Sequence, residues 1–131
     1  MDRETAQEWL DRYVDAWLSY DRDAVSGLFS EDIVYRYHPS DEPTVGRDPV
    51  VASWLGEGAS GGASTRDTPG TYEAKYSPVA VDGDIVVATG TSSYREVPGG
   101  PFVRIYDNCF VIRFDGEGRC REFTEYYNRR P

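Results

Sequence analysis

The sequence predicts an α+β domain in which three helices from the N-terminal half pack on one face of a curved, mainly antiparallel sheet. Two observations carry this expectation. Apolar residues recur at helical spacing as far as about Leu55, and from Tyr72 onward the chain turns to β-branched and aromatic runs separated by glycine-containing turns. Helices first and antiparallel strands afterwards sort into separate layers around one core.

Ala6, Trp9, Leu10, Tyr13, Val14, Trp17 and Leu18 lie on one helical face, and Thr5 with Glu8 has the spacing of a capping box. A second helix is expected from an N-cap near Asp21 to about Ser30, burying Ala24, Val25, Leu28 and Phe29. Ile33 to Tyr37 reads as a strand and the proline-punctuated stretch from His38 to Gly46 as a loop. Asp48 followed by Pro49 signals a third helix, with Val50, Val51, Trp54 and Leu55 as its buried face. Gly56 to Gly70 holds little to bury and is expected to be a mobile connection. Four strands follow, at about Tyr72–Val81, Ile85–Tyr94, Phe102–Phe114 and Arg119–Tyr127, with Pro78 marking a bulge or an edge. Trp17, Phe29, Trp54 and Phe110 are expected in the core.

At 131 residues the chain is expected to form a single domain, 1–131, able to bury a core without disulfide or metal support. A net charge of −9 with no basic stripe argues against nucleic acid and anionic membranes as partners. No apolar run reaches bilayer length and no basic-then-apolar leader opens the chain, so the cytoplasm is the expected location. Cys109 and Cys120 fall on two strands of a terminal hairpin. If Phe114 faces Arg119, Cys109 faces Thr124, and the two thiols stay apart and reduced. Metal-ligand spacing is lacking, and no cofactor is expected.

The segments RYVDAW, DRDAVSGLFSEDIVY, EPTVGRDPVVASW and FVIRFDGEGRCREFTEYY, in this order, resemble the SnoaL-like branch of the NTF2-like superfamily over nearly the whole chain. The resemblance implies a cone of curved sheet and helices with an apolar pocket at its open end, and it implies a homodimer. It leaves the chemistry open, because isomerases, cyclases, dehydratases, epoxide hydrolases and non-catalytic binding domains share the fold. It also places Tyr13, in its RYV context, where ketosteroid isomerases carry an oxyanion-binding tyrosine. Tyr37 falls at the position of their proton-abstracting aspartate, and Phe110 near that of their second oxyanion-hole acid. Neither replacement does the same work.

Three residues are therefore candidates for catalysis. His38 follows Tyr37 at a strand end, and imidazole is the side chain whose ordinary pKa suits acid–base work near neutrality. Glu125 alternates with Phe123 and Tyr127 on the last strand, so an inward Phe123 carries a carboxylate inward among aromatic rings. Tyr13 would donate a hydrogen bond to a ligand oxygen. Each has a plainer reading: a strand cap bonded to Asp41 or Glu42 for His38, an ion-pair partner of Arg36 or Arg104 for Glu125, and a core aromatic beside Trp17 for Tyr13. Trp17, Tyr35, Tyr37, Trp54, Asn108, Phe110, Phe123 and Tyr127 are the expected ligand-binding residues.

The function expected on these grounds is binding of a small, largely apolar, oxygen-bearing molecule, with cofactor-free proton transfer by His38 or Glu125. The alternative is a non-catalytic ligand-binding or dimerisation module in which the same polar groups satisfy one another.

Overall fold

The computed structural model describes residues 1–57 and 66–131. The first helix, α1 (Arg3–Ser19), buries Ala6, Trp9, Leu10, Tyr13 and Ala16, as its apolar spacing requires. Its N-cap is Asp2, whose carboxylate accepts from the Thr5 N–H at 2.8 Å. Thr5 already lies inside the helix, so the expected Thr5–Glu8 box does not form. Trp17 is half-buried and Leu18 exposed, because the last turn of α1 leaves the core.

Asp21 does cap α2 (Arg22–Ser26), accepting from the Ala24 N–H at 3.1 Å. The helix is only five residues long and presents Val25 inward, which leaves Ala24 exposed. Phe29, expected in this helix, opens the strand β1 (Phe29–Arg36) instead. The stretch read as a loop contains the two-residue strand β2 (Thr44–Val45), paired antiparallel with β1 through Val34 and Tyr35. α3 (Arg47–Trp54) starts just before Asp48, after Gly46 at φ 97°, a left-handed conformation that favours glycine. Val50, Val51, Trp54 and Leu55 are all buried.

The later strands are β3 (Tyr72–Asp82), β4 (Ile85–Arg95), β5 (Phe102–Phe114) and β6 (Cys120–Arg129), within a residue or two of expectation. They join β1 and β2 in a six-stranded sheet of order β2-β1-β6-β5-β4-β3. Only the β1–β6 pairing is parallel, and it closes the start of the fold onto its end. Pro78 lies on the edge strand β3 at a register irregularity, both of which suit a residue with no N–H to give.

The hairpin register differs from the expected one. Phe114 pairs with Cys120 across a turn one residue longer than expected, and the irregularity next to Phe114 shifts the count by one more, so Cys109 pairs with Tyr126. Both cysteines are free thiols all the same. Most of the expected Gly56–Gly70 connection, 58–65, lies outside the described residues. Beyond it the Asp67 carboxylate accepts from Trp17 Nε1 at 2.7 Å and from the Tyr20 hydroxyl at 3.3 Å. No helix among the described residues is long and apolar enough to cross a membrane.

Candidate functional site

Residues paired across neighbouring strands share a face of the sheet, as do alternate residues along each strand. The registers therefore order the inner face into rows. At one end stand Phe114 and Cys120, then Ile112 with Val86 and Phe123, then Phe110 with Ala88 and Glu125. Next come Asn108 with Gly90, Tyr76 and Tyr127, and Tyr106 with Ser92 and Ala74. Arg104 with Tyr94 and Tyr72 forms the last row. The first rows are covered by α1 and α3. The later ones open into a cavity of about 360 Å³, whose wall includes seven tyrosines, from Tyr13 to Tyr127, together with Trp17, His38, Ser92, Arg104 and Glu125.

Among the described residues Glu125 is the one acidic group of this wall. Burial among aromatic rings destabilises its charged form and lifts its pKa from 4.5 to about 7, while the charge of His38 pulls the other way. Among the described residues no hydrogen bond holds its carboxyl group. A carboxyl that exchanges its proton near neutrality can act as acid or base in the range where proton transfer is most efficient.

Polar groups opposite it are organised by Asn108, which is 5% exposed. Its amide nitrogen donates to the Tyr76 hydroxyl at 3.2 Å and to Ser92 Oγ at 3.0 Å. Tyr72 and Ser92 also hydrogen-bond to the Tyr76 hydroxyl, so Tyr76 accepts from its neighbours and keeps its own proton for a further partner. The Asn108 carbonyl oxygen is buried without a partner among the described residues. Gly90 makes room for this group, since a Cβ there would lie 2.0 Å from the Lys75 carbonyl oxygen and 2.5 Å from the Tyr76 ring. Burial also raises the Tyr76 pKa to about 12, which keeps the phenol protonated and a donor.

At the rim, His38 is half-exposed, its ring centroid 4.8 Å from that of Tyr127 and its Nδ1 3.2 Å from the Asp41 carboxylate. Tyr37 reaches Ser53 Oγ through its hydroxyl at 3.0 Å. Among the described residues no group of His, Cys, Asp and Glu is gathered to hold a metal ion.

The family model of the SnoaL-like domain matches residues 10–123. The chain belongs to the SnoaL-like family. Its fold is similar to that of an NTF-2-like protein of unknown function from Burkholderia xenovorans LB400, with a TM-score of 0.65 and 19% identity over 95% of this chain and 84% of that one. It is also similar to a provisionally named ketosteroid isomerase from Kribbella flavida, with a TM-score of 0.67 and 13% identity over 97% of this chain and 80% of that one. A third similar structure is an LEH-like epoxide hydrolase of Mycobacterium tuberculosis, with a TM-score of 0.64 and 17% identity over 96% of this chain and 84% of that one. No curated protein matches the chain in sequence.

The SnoaL-like fold brings His38, Glu125 and Tyr13 to one cavity, with Trp17, Tyr37 and Tyr127 beside them. Tyr35, Trp54, Phe110 and Phe123 lie behind the wall instead, each about 1% exposed or less: Tyr35 and Phe123 share a covered row, Phe110 lies under Tyr13 and Tyr76, and Trp54 of α3 packs on Phe29 and Tyr13. Asn108 is likewise behind the wall and reaches the cavity through Tyr76 and Ser92. The Tyr13 hydroxyl is engaged by that of Tyr35 at 3.2 Å, so its phenol is tied into the core. Glu125 pairs with neither Arg36 nor Arg104 among the described residues, while His38 does take Asp41. Tyr72, Tyr76, Ser92, Tyr94, Arg104 and Tyr106 were not anticipated. Their signal was period-two spacing, Tyr72 with Tyr76, Ser92 with Tyr94 and Arg104 with Tyr106, which fixes a shared face only once a register is known.

Proposed function

We propose that this SnoaL-like chain binds a small, largely apolar, oxygen-bearing molecule in the aromatic cavity and moves a proton on it through Glu125. The observation that carries this reading is a cavity-facing carboxyl whose pKa is lifted to about 7 by burial, on the same wall as the protonated phenol of Tyr76. In this scheme the ligand oxygen is received by Tyr76, held by Asn108. Charge that develops on that oxygen is then stabilised by an oriented donor in a water-poor site. His38, at the rim, exchanges protons between the site and solvent. Tyrosine rings contribute broad apolar contact with polar tips, matching a ligand that is mostly hydrocarbon with few oxygens.

The test uses 2-tetralone, an aromatic ketone with acidic C–H groups next to its carbonyl, in deuterated buffer. The protein is expected to accelerate hydrogen–deuterium exchange at those carbons, with a rate that rises as Glu125 ionises near pH 7. Glu125→Gln, still folded by circular dichroism, is expected to lose about 100-fold or more of the acceleration. Binding without acceleration would make the chain a non-catalytic ligand-binding module. Absence of binding across a panel of such ketones would remove the reading altogether.

A further inference from the structure

The open end of the cavity carries a cation, Arg104. Acidic residues outnumber basic ones 23 to 14, so carboxylate partners abound. Among the described residues six of the thirteen arginines take one, and Arg104 is among those that do not. Arg104 is the one arginine on the cavity wall, and among the described residues it has no carboxylate within ion-pairing distance.

Aromatic groups hold it instead. Its guanidinium carbon lies 4.3 Å from the centre of the Tyr94 ring and 5.9 Å from that of Tyr106, and it donates to the Tyr106 hydroxyl at 3.3 Å. Stacking orients the guanidinium plane but occupies few of its five N–H donors, and a planar fork of free donors is the geometry that receives a carboxylate in two parallel bonds. Much of the ordering that such binding would require is thereby done in advance. Asp67 acts electrostatically on Tyr94 from nearby, yet its carboxylate is already engaged by Trp17 and Tyr20.

Position along the face sets the size of the ligand. Arg104 stands in the outermost row and Glu125 three rows deeper, opposite Phe110. Six residues of β5 separate the two rows, about 20 Å of strand, and the long side chains of Arg104 and Glu125 span part of that gap. We propose that the ligand is an elongated aromatic carboxylate, its acid group docked on Arg104 and its hydrocarbon body running along the tyrosine wall toward Glu125. This inference rests on the proposed function for the reacting end and adds an anionic anchor at the other. Arg104 is then a specificity-determining residue.

Biphenyl-4-carboxylate and its neutral methyl ester are the probes, with binding read by tryptophan fluorescence through Trp17 and by calorimetry. Both are measured near pH 6, where Glu125 is mostly protonated and adds little repulsion. The acid is expected to bind at least about tenfold more tightly than the ester, and more weakly as salt is raised. Arg104→Met, which keeps an apolar stem over Tyr94, is expected to weaken the acid about tenfold and leave the ester unchanged. Arg104→Lys should restore part of the preference, since it returns the charge without the fork. Equal binding of acid and ester, or an equal loss of both in Arg104→Met, would overturn the inference while leaving the proposed function standing. Binding of neither probe would count against both.

Discussion

Phe29, Ile33, Tyr35, Ile112, Phe114, Cys120 and Phe123 are sealed at one end of the inner face, whereas Glu125, Tyr127, Ser92, Tyr106 and Arg104 line the opening at the other. Both ends are rich in aromatic rings and both are made by the same strands. They differ in what covers them and in what the rings carry. Trp9 packs on Phe29, Phe114 and Phe123 at the sealed end with centroids 5.3 to 6.4 Å apart. At the open end Tyr94, Tyr106 and Tyr127 meet one another edge to face, at 5.8 and 5.4 Å, with their hydroxyls at hand. The difference separates rows that only pack from rows whose polar groups stay accessible, and under the proposed function the open rows give up stability for groups a ligand could use.

The largest expected effect tests the sealed end. Phe123 is fully buried, stacked on Tyr35 at 4.6 Å and on Tyr13 at 5.5 Å. Phe123→Ala is expected to cost about 3–5 kcal/mol, because the rings around it close only partly on the cavity left behind. Tyr106→Ala, at the half-buried rim, is expected to cost about 1 kcal/mol. Urea unfolding of both variants checks the contrast, and comparable losses would break it.

The next effect has the opposite sign. The folded state holds the Glu125 proton up to about pH 7, whereas an unfolded carboxyl releases it near 4.5, so this residue lowers stability progressively as pH rises through that window. The full penalty, present above about pH 8, is about 3 kcal/mol. Glu125→Gln is therefore expected to stabilise the protein by about that much at alkaline pH and by almost nothing near pH 4. Unfolding midpoints measured across pH give the answer. A difference independent of pH would mean that the open end carries no such strain.

How much of this was legible in the sequence follows from the same division. The sealed end was largely readable, because Trp9, Trp54 and Phe110 sit in patterns whose period is that of their own helix or strand, and Phe29, though read into a helix, is apolar enough to be buried in either. Glu125 was readable for the same reason, being two residues from Phe123. The rows of the open end were not, since Tyr76, Ser92 and Arg104 come together only through the pairing of β3, β4 and β5, and one residue of register decides which face each takes. The longer turn and the shift next to Phe114 misplaced Cys109 and Cys120 by this mechanism. Tyr35, Phe110 and Phe123 were expected on the cavity wall because alternation reports the face of a strand but not where along it the cover ends, and Trp54 because a helix period gives its inward face but not its depth. β2 left no signal at all, being two residues whose pairing is made by backbone.

The smallest expected effect, one of accessibility rather than energy, uses the cysteines as reporters of the two environments. Cys120 is wholly buried in the sealed rows opposite Phe114, its thiol pushed well above the ordinary pKa by loss of solvent and its Sγ 3.4 Å from the Glu122 carbonyl oxygen. Cys109 points to the other face of the sheet, opposite Tyr126, and is only half-buried. A thiol reagent acts on the thiolate and needs access to it, so Cys109 is expected to react in the native protein while Cys120 waits for the sealed end to open. Unfolded protein under non-reducing conditions should return both thiols. In the native state the slow phase should follow global unfolding, accelerating strongly in Phe123→Ala and hardly at all in Tyr106→Ala. If Cys120 reacted as readily as Cys109, or if its rate followed changes at the rim, the sealed rows would not form the rigid base on which the open ones stand.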